Sequence, residues 1–594
     1  MSRRRSSLAT SRVRLLAALA AAGSLAAAAV AQNAQAPESL LPPGFGEPVA
    51  PPPAQAPSNQ TVQPLPQAPL DLPAPEASPS PIPTPTPPSA AELAKYEMPL
   101  FARRSLSIVG PIGQPEGGVA PNAFGDADGG YLQGLMRRLS APLPSRWLSI
   151  ALRRALMSRI DTPAGLNGAD FAAERAWLLL RMGESVAARS VIESVDTMNA
   201  TPKYEQVAMQ AMLANGDPGG LCTLAEAPQD RARGWILARA MCASLGNEEG
   251  AGRALIDAAR RQRVASGIDL ALARKVVGAG LGSRQAVTIE WDPVVQLTSW
   301  RFGLATATGV AVPTELYETV GPQVTGWRAL APAIPIADRA AAAETAAAMG
   351  VLSSAALVDL YAALDAGEDT PAALGAIASD LRSAYVGADI ATRLGALRQL
   401  WDGVETPQAR YARYILTARA AARIRPVDGR EEANRIVASM LSAGLDRTAQ
   451  RWRGQVDEGS DAWAMLELSD PDARTRLGYG AVGKYAGSGN ATLKRQLFFA
   501  GLAGLGRLSP QEVESGAESL DVPIGVQNSW TRALDRAVRD RQPATVLLLS
   551  GIGMQADSWR AIPPAALYRI VAALRAVGLD GEARMIAVEA LTRA

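Results

Sequence analysis

Between Ala169 and Gln262 the chain repeats a pair of short amphipathic helices, and this repeat most constrains the fold. Apolar residues recur at helical spacing over 171–182, Gly183 ends that stretch, and a second such stretch follows over 184–195. The same order returns on either side of Gly246. One such pair cannot bury its apolar stripe alone, so successive pairs must stack on one another. The sequence therefore predicts an all-α chain, an α-solenoid of stacked helical hairpins.

Two further signals repeat along the chain and mark where helices end and begin. Gly can take the left-handed conformation that ends a helix, and an Ala five positions later lets the next helix approach closely. This spacing occurs at Gly183/Ala188, Gly246/Ala251, Gly350/Ala355, Gly444/Ala449 and Gly578/Ala583. A capping side chain directly before Pro marks a helix start. It occurs at Thr201-Pro202, Asp217-Pro218, Asp292-Pro293, Thr370-Pro371, Thr406-Pro407, Asp470-Pro471 and Ser509-Pro510. These signals predict roughly 18 to 20 short helices between Ser145 and Ala594.

The chain of 594 residues contains no His, and this absence removes several classes of chemistry. A Ser-His-Asp triad, a Cys-His pair and a His-ligated metal all require an imidazole. Asp126 and Asp128 resemble the start of a calcium loop, but the third acidic ligand and the closing Glu are missing. The sequence therefore predicts no catalytic, cofactor-binding or metal site. Its 59 basic and 57 acidic residues nearly cancel, so we expect no nucleic-acid partner.

Residues 1–31 have the pattern of a secretory signal peptide. Five arginines precede an apolar, Ala-rich run from Leu15 to Val30, and Ala29-Val30-Ala31 fits a small-residue cleavage site. The run is short and weakly hydrophobic for a membrane-spanning helix, which needs about 20 strongly apolar residues. We therefore expect cleavage, with a retained membrane anchor as the alternative. After cleavage we expect no integral membrane span and a periplasmic or secreted bacterial protein.

The remainder of the chain divides by composition. Between Pro37 and Pro88 there are 19 prolines. Because proline fixes φ and removes a backbone donor, this stretch predicts a disordered spacer. The predicted divisions are a Pro-rich disordered linker over 32–98, an irregular or capping segment over 99–144, helical repeats of a first arm over 145–282, an irregular helical bend over 283–335 and helical repeats of a second arm over 336–594.

The two cysteines, Cys222 and Cys242, are candidates for a disulfide, because an exported protein folds in an oxidising compartment. Cys242 lies about 20 Å along a helix that starts near Gln229. Cys222 can lie at the same distance from Gln229, beside Cys242, if the arm before Gln229 is extended. Pro218-Gly219-Gly220 and Pro228 predict such an extended arm. Two small buried thiols are the alternative interpretation.

Three tryptophans, Trp147, Trp177 and Trp235, stand at like positions of successive predicted helices. Trp at a fixed helical position is typical of packing between repeats, and the alternative is that these side chains line a ligand groove on the repeat surface. Arg-rich stretches at 410–425 and 532–541 alternate with apolar positions. We interpret them as solvated helix faces, with contact to an acidic glycan or lipid surface as the alternative.

The unit at 176–192 resembles a degenerate tetratricopeptide repeat. The residues that carry the resemblance are Ala176, Leu179, Gly183, Ala188 and Ile192. Leu and Ile stand where that family has aromatic residues, and several later units lack the Gly. The resemblance covers about five units well. It implies an α-solenoid whose concave surface binds protein partners.

Three other stretches match functional motifs in part. Residues 478–484 have the spacing of a phosphate-binding loop, but Tyr485 replaces the Ser or Thr that would hold magnesium, so we interpret them as a helical connection. Residues 544–549 fit a buried strand or a buried helix equally well. Glu514-Ser515 and Gly553-Met554-Gln555 resemble motifs of lytic transglycosylases, which makes Glu514 a candidate acid. Its other interpretation is a solvated residue in the first turn of a capped helix.

Taken as a whole, the sequence favours an exported, non-enzymatic scaffold or adaptor of the cell envelope. It would bind envelope proteins through the surface of its α-solenoid. The alternative is a protein that binds or cleaves cell-wall glycan, in which case peptidoglycan is the ligand and carboxylates alone carry the chemistry.

Overall fold

The computed structural model describes residues 98–225, 232–248, 250–282, 287–473 and 476–594. The predicted signal peptide and all but the last residue of the predicted linker lie outside these residues. In the described part of the chain nearly all regular structure is helical. The strands there form one small antiparallel sheet, in which β1 (Ile108–Val109) pairs with β2 (Ile160–Asp161). The predicted all-α class is confirmed.

Among the described residues, 129–330 contain twelve α-helices and 336–593 contain fifteen. The first twelve are α1 (Gly129–Arg138), α2 (Arg146–Met157), α3 (Gly168–Arg181), α4 (Ser185–Ile192), α5 (Pro202–Ala214), α6 (Cys222–Ala225), α7 (Arg233–Leu245), α8 (Ala251–Arg261), α9 (Gly267–Gly280), α10 (Ser299–Ala307), α11 (Thr314–Tyr317) and α12 (Gln323–Leu330). The others are α13 (Ile336–Met349), α14 (Ser354–Asp365), α15 (Ala372–Val386), α16 (Ile390–Asp402), α17 (Pro407–Ala421), α18 (Ala433–Ser442), α19 (Asp446–Ala449), α20 (Asp461–Ser469), α21 (Gly480–Lys484), α22 (Ala491–Gly504), α23 (Pro510–Ser519), α24 (Ser529–Arg539), α25 (Pro543–Gly553), α26 (Pro564–Ala576) and α27 (Asp580–Arg593). Short 3₁₀ helices lie at Leu100–Ala102, Thr197–Asn199, Gly219–Leu221, Arg430–Glu432, Gln450–Gln455 and Trp559–Ala561. The helices outnumber the prediction because several single-turn helices, such as α11 and α19, occupy the connections.

Proline marks a helix start where the preceding side chain caps that helix. Thr201, Thr406 and Ser509 each accept a hydrogen bond from the backbone N–H three residues on, at the starts of α5, α17 and α23. The predicted capping box of Ser509 and Glu512 is present. These caps supply acceptors for N–H groups that have no partner inside the helix.

Two predicted helix starts are wrong. Asp292-Pro293 opens no helix, and α10 begins only at Ser299. Asp470-Pro471 likewise follows the end of α20 without starting another helix. Its Asp470 carboxylate accepts the backbone N–H of Asp472 and pairs with Arg453, so the side chain closes a turn where the prediction required a cap.

Helices α3–α12 form the first lobe, and its last helices pack back against its first ones. Helices α3 and α4 pair, α7 and α8 pair, and on the return α10 packs against α5 while α12 packs against α4. A Cβ atom added at Gly326 would lie 2.5 Å from the carbonyl oxygen of Gly183, so the backbones meet directly. The Trp327 indole N–H donates to the Leu180 carbonyl at 3.1 Å. The described part of the predicted irregular helical bend, residues 287–335, thus contains three helices, and α10 and α12 pack back onto this lobe.

Helices α13–α27 form the second lobe, and its last helix lies at the centre. Helix α27 contacts α17, α18, α20, α22 and α26. Its Ala583, Ile586, Ala587 and Ala590 are fully buried by these neighbours. Small side chains at this spacing let several helices approach one axis closely. Five helices of the second lobe therefore pack around α27.

Helix α2 joins the two lobes, and a buried carboxylate holds its N-terminus. Glu589 of α27 accepts hydrogen bonds from the backbone N–H groups of Arg146 and Trp147, at 2.9 and 3.2 Å. It also accepts from the Ser145 hydroxyl at 2.7 Å and pairs with Arg593 at 2.8 Å. A carboxylate at a helix N-terminus satisfies free N–H groups and opposes the positive end of the helix dipole.

Two arginines of α2 donate hydrogen bonds to carbonyl groups at the C-terminal end of α13. The Arg146 guanidinium donates to the carbonyl groups of Ala347 and Leu352, and burial lowers the pKa of this group. The Arg153 guanidinium donates to the Gly350 carbonyl at 2.8 Å and pairs with Glu184 of the first lobe at 2.7 Å. Cations at a helix C-terminus satisfy its free carbonyl groups. Arg153 therefore links the first lobe to the second.

Glu184, which pairs with Arg153 at the contact between the two lobes, makes the stability of the protein depend on pH. Burial raises the pKa of its carboxyl group from 4.5 to about 7, and the neighbouring Arg153 opposes that rise only in part. A carboxyl whose pKa is higher in the folded state binds its proton more tightly there. The resulting stabilisation is full below pH 4.5 and is lost as pH rises through about 7.

We therefore expect the native protein to lose about 1 to 3 kcal/mol of unfolding free energy between about pH 5 and about pH 8 through this group. Glu184→Gln should remove that part of the loss, because an amide does not titrate in this range. Urea denaturation of both proteins at the two pH values measures it. Equal pH dependence in the native protein and the variant would contradict the assignment.

Candidate functional site

A cavity of about 310 Å³ opens in the second lobe beside the last turn of α27. Helices α17, α18 and α20 form its walls together with the loop before α22 and the 3₁₀ helix at Trp559–Ala561. We call it the cationic cavity. It is lined by Pro407, Arg410, Tyr411, Tyr414, Asn434, Arg435, Ala438, Asp461, Met465, Ser488, Gly489, Lys494, Arg560, Leu591, Thr592, Arg593 and Ala594.

Five lining side chains are cationic and one is anionic. Three of the cations have carboxylate partners: Arg435 pairs with Asp402 at 2.7 Å, Lys494 with Asp461 at 3.2 Å and Arg593 with Glu589 at 2.8 Å. Arg410 and Arg560 are exposed and form no ion pair with any residue that the structure describes. Two guanidinium groups thus stand at the cavity with their donors available to an anionic ligand.

Aromatic rings form the wall between the paired arginines. The Arg593 guanidinium lies 4.7 Å from the ring centre of Tyr411, and Arg435 lies at the same distance from Trp401. Trp401 meets Tyr414 edge to face, with ring centres 5.8 Å apart. Burial raises the pKa of both tyrosines, so each phenol keeps its proton at neutral pH. Cation–π contacts of this kind hold a guanidinium in place without neutralising its charge.

Asp461 is held as an ionised carboxylate. It accepts hydrogen bonds from the Tyr485 hydroxyl at 2.6 Å, the Lys494 ammonium at 3.2 Å and the Ser488 hydroxyl. Burial alone would raise the pKa of Asp461, but Lys494 and these hydrogen bonds hold it below its usual value. The group fixes Lys494 and the Ser488 loop at the cavity wall. Because the pKa of Asp461 is lowered and its hydrogen bonds stabilise the ionised form, this carboxylate is poorly suited to donate a proton in catalysis.

A second cavity of about 650 Å³ adjoins the first, and Asn434 lines both. We call it the acidic cavity. Its charged lining side chains are Asp428, Glu431, Asp457 and Arg430. Arg430 pairs with Asp457 at 3.0 Å, and both side chains are mostly exposed. The two cavities therefore meet at one residue and carry opposite charge.

The structure joins Cys222 and Cys242 in a disulfide, with Cα atoms 5.4 Å apart. The prediction that the arm before Gln229 is extended is wrong for its described part. Residues 219–221 form a 3₁₀ helix and α6 follows. The Asp217 carboxylate accepts the Gly220 backbone N–H at 3.1 Å, which starts a helical turn. The bond joins α6 to α7 in the first lobe and lies outside both cavities.

The three tryptophans singled out in the sequence lie in different environments. Trp177 and Trp235 are each 4% exposed and belong to a hydrophobic core that extends through both lobes. Trp147 is partly buried and lines a separate cavity of about 300 Å³, between α2 and α27. None of the three reaches the cationic cavity.

Other sequence candidates also lie away from it. Asp128 caps α1 by accepting the Tyr131 backbone N–H at 2.9 Å. Residues 478–484 hold only the short helix α21, and 544–549 lie in the buried helix α25, so the strand interpretation is wrong. Glu514 is exposed on α23, and the hydroxyl of its neighbour Ser515 donates to the Gln511 carbonyl of the same helix. No cavity described above includes Glu514.

Comparison with known proteins returns no match to this chain, from family models, curated proteins or solved structures. The described helices include none that is both long and apolar enough to cross a bilayer. The class of protein is accordingly defined by geometry alone: an all-α array of stacked helical hairpins.

Sequence reasoning named the Arg-rich stretch that forms one wall of the cationic cavity, but interpreted it as a solvated helix face and missed the cavity. Tyr414 lies four positions after Arg410 and three after Tyr411, so all three lie on one side of α17, within the Arg-rich stretch that we interpreted as solvated. This helical spacing of arginine and tyrosine was the sequence signal that could have indicated a binding surface. Arg560 and Arg593 come from segments far along the chain, and only the closure of the second lobe brings them to the same cavity.

Proposed function

We propose that this protein is exported to the bacterial cell envelope and acts there as a scaffold or adaptor that binds a protein partner at the cationic cavity. On this proposal residues 1–31 direct export, residues 32–98 are a spacer, and the protein works in the periplasm. The stacked hairpins are proposed as degenerate tetratricopeptide-like units that build the binding surface.

The observation that carries this proposal is a cavity that combines tyrosines with two unpaired arginines. Arg and Tyr side chains supply a large share of the binding energy at protein interfaces. Carboxylates of a partner would form charge-assisted hydrogen bonds with Arg410 and Arg560, while Tyr414 would supply apolar contact. Such recognition requires no bond to be made or broken.

The glycan-cleaving alternative finds less support in the same geometry. That chemistry uses a carboxylic acid of raised pKa together with a second carboxylate across a cleft. Asp461 is the one acidic side chain in the lining described for the cationic cavity, and its pKa is lowered. Glu514, the acid named from the sequence, lies exposed on a helix. We therefore propose binding without catalysis.

Capture of partners from living cells tests the proposal. The full-length tagged protein is cross-linked in its host, purified under denaturing conditions, and the attached proteins are identified by mass spectrometry. Arg410→Glu/Arg560→Glu should reduce recovery of the specific partners at least about tenfold, because each substitution removes a charge-assisted contact and adds a repulsive charge.

The matched control is Arg532→Glu/Arg539→Glu, which changes the net charge equally at two exposed arginines of α24 outside the cavity lining. It should retain the native set of partners. The proposal would be overturned by the same partner set in all three proteins. Release of soluble fragments from purified cell walls by the native protein would favour the enzymatic alternative instead.

A further inference from the structure

We infer that the partner segment has a defined charge pattern: an acidic stretch that occupies the cationic cavity, followed within a few residues by a basic stretch that occupies the acidic cavity. This inference rests on the proposed function and adds the chemistry of the partner. The juxtaposition of two oppositely charged cavities around Asn434 carries it.

The two cavities share one lining residue, Asn434, and lie next to each other at the helix ends. Asn434 lies in the walls of both, and the neighbouring residues Ser460 and Asp461 line the acidic and the cationic cavity respectively. The Asn434 side-chain oxygen accepts the Ala462 backbone N–H at 2.8 Å, which fixes the amide group. Its NH₂ group remains as a donor at the junction, where the backbone of a bound segment would pass. An extended chain advances about 3.3 Å per residue, so a few residues suffice to enter both cavities.

The cationic side favours carboxylates over neutral groups. Arg410 and Arg560 have no ion-pair partner among the described residues, so binding a carboxylate there breaks no existing ion pair. Lys494 and Arg593 already form ion pairs with Asp461 and Glu589, and these pairs hold both cations in place at the cavity wall. Interactions with charged groups contribute more than neutral hydrogen bonds when one partner starts unpaired.

The acidic side favours a basic group at the other end of the segment. Glu431 and Asp457 have 91% and 81% of their side chains exposed. Their ion pairs, with Arg398 at 3.6 Å and with Arg430 at 3.0 Å, are also at the surface. Exposed pairs contribute only about 0 to 1 kcal/mol each, so a ligand ammonium or guanidinium can replace them at little cost.

Opposite charge in adjoining cavities also selects against long uniform polyanions. A chain of carboxylates that continued past Asn434 would place negative charge beside Glu431 and Asp457. Like-charge contacts of this kind suppress wrong partners. The near-zero net charge of the whole chain adds no long-range attraction that would offset this repulsion. A segment with both signs of charge is therefore the better fit.

Fluorescence anisotropy with three labelled synthetic peptides of equal length tests the inference. One peptide carries four Glu, a Gly-Ser spacer and four Lys; the second carries Glu in place of the Lys; the third carries Gln at all charged positions. With the native protein we expect the mixed peptide to bind at least about fivefold more tightly than the all-Glu peptide, and the Gln peptide to bind more weakly than both.

Two pairs of substitutions separate the cavities. Glu431→Gln/Asp457→Asn should weaken the mixed peptide and bring its affinity to that of the all-Glu peptide. Arg410→Glu/Arg560→Glu should weaken both charged peptides at least about tenfold. Arg532→Glu/Arg539→Glu should leave all three affinities within about twofold, since these arginines lie outside both linings.

Equal affinity of the native protein for the mixed and the all-Glu peptides would overturn the inference. So would tighter binding to phosphatidylglycerol vesicles than to either charged peptide, because a lipid surface would then be the ligand. If no peptide binds while partner capture in cells still depends on Arg410 and Arg560, the charge pattern is wrong and the proposed function stands. If capture is also independent of these arginines, the proposed function fails.

Discussion

Replacing Glu589 by Ala is expected to lower the free energy of unfolding by about 3 to 5 kcal/mol. The carboxylate is fully buried and serves four groups: the backbone N–H groups of Arg146 and Trp147, the Ser145 hydroxyl and the Arg593 guanidinium. Its removal leaves the backbone N–H groups of Arg146 and Trp147 without this acceptor and the Arg593 guanidinium without its carboxylate partner. Buried groups that lose their partners cost far more than exposed ones. Urea denaturation followed by circular dichroism measures the loss.

Glu582→Ala provides the matched control on the same helix. Glu582 pairs with Arg154 of α2 at 3.0 Å, and the Arg154 side chain is 45% exposed. Because solvent screens a pair of this kind, we expect a loss below about 1 kcal/mol. A Glu589→Ala loss no larger than that of Glu582→Ala would show that the carboxylate does not hold the second lobe to α2.

Removing the disulfide with Cys222→Ser/Cys242→Ser is expected to cost about 3 kcal/mol in the first lobe. The bond closes a loop between residues separated by 20 positions, and a cross-link of this length removes about that much chain entropy from the unfolded state. Adding dithiothreitol to the native protein should reproduce most of the effect. Urea denaturation of each protein, with and without reductant, gives the comparison.

The double-Ser variant is its own control in this experiment, because it contains no cysteine and so no disulfide for the reductant to cleave. Its denaturation midpoint should be the same with and without dithiothreitol. If reductant lowers that midpoint as much as it lowers the native one, the loss has a cause other than the disulfide.

The sequence predicted the elements of this fold from local signals. The 3.6-residue apolar period, the Gly residue that ends α3 and the capping side chains at Thr201, Thr406 and Ser509 each act within a few residues, so they can be read without the structure. Errors arose where a side chain had another partner. Asp470 precedes a proline as a cap would, yet it closes a turn and pairs with Arg453.

The contacts between distant helices and the cationic cavity could not be predicted from such local signals. Glu589 and Arg146 are 443 positions apart, and nothing in either local sequence indicates that one would cap the helix of the other. The same holds for Arg410 and Arg560, which line one cavity because α17 and the 3₁₀ helix at Trp559–Ala561 both pack against α27. Contacts at such separation depend on how the hairpins stack, whereas periodicity and capping report only on single helices.

The central position of α27 also changes where a partner would bind. A regular solenoid leaves its concave face open, as the resemblance to tetratricopeptide repeats implied. Here α27 packs against α17, α18, α20 and α22 of its own lobe. The cationic cavity lies beside its last turn, at the ends of these helices. The proposed binding surface is therefore small and strongly charged, and its selectivity depends on a few side chains.

Site-specific photo-cross-linking in living cells tests the proposed binding site most directly. A photoreactive amino acid replaces Asn434, which lies at the junction of the two cavities, and in a second strain it replaces Arg539 on the exposed surface of α24. We predict a discrete envelope-protein adduct from position 434 that is absent from position 539 and is lost when Arg410→Glu/Arg560→Glu is added. No adduct at position 434, or the same adduct at both positions, would contradict the proposal that this protein binds its partner at the cationic cavity.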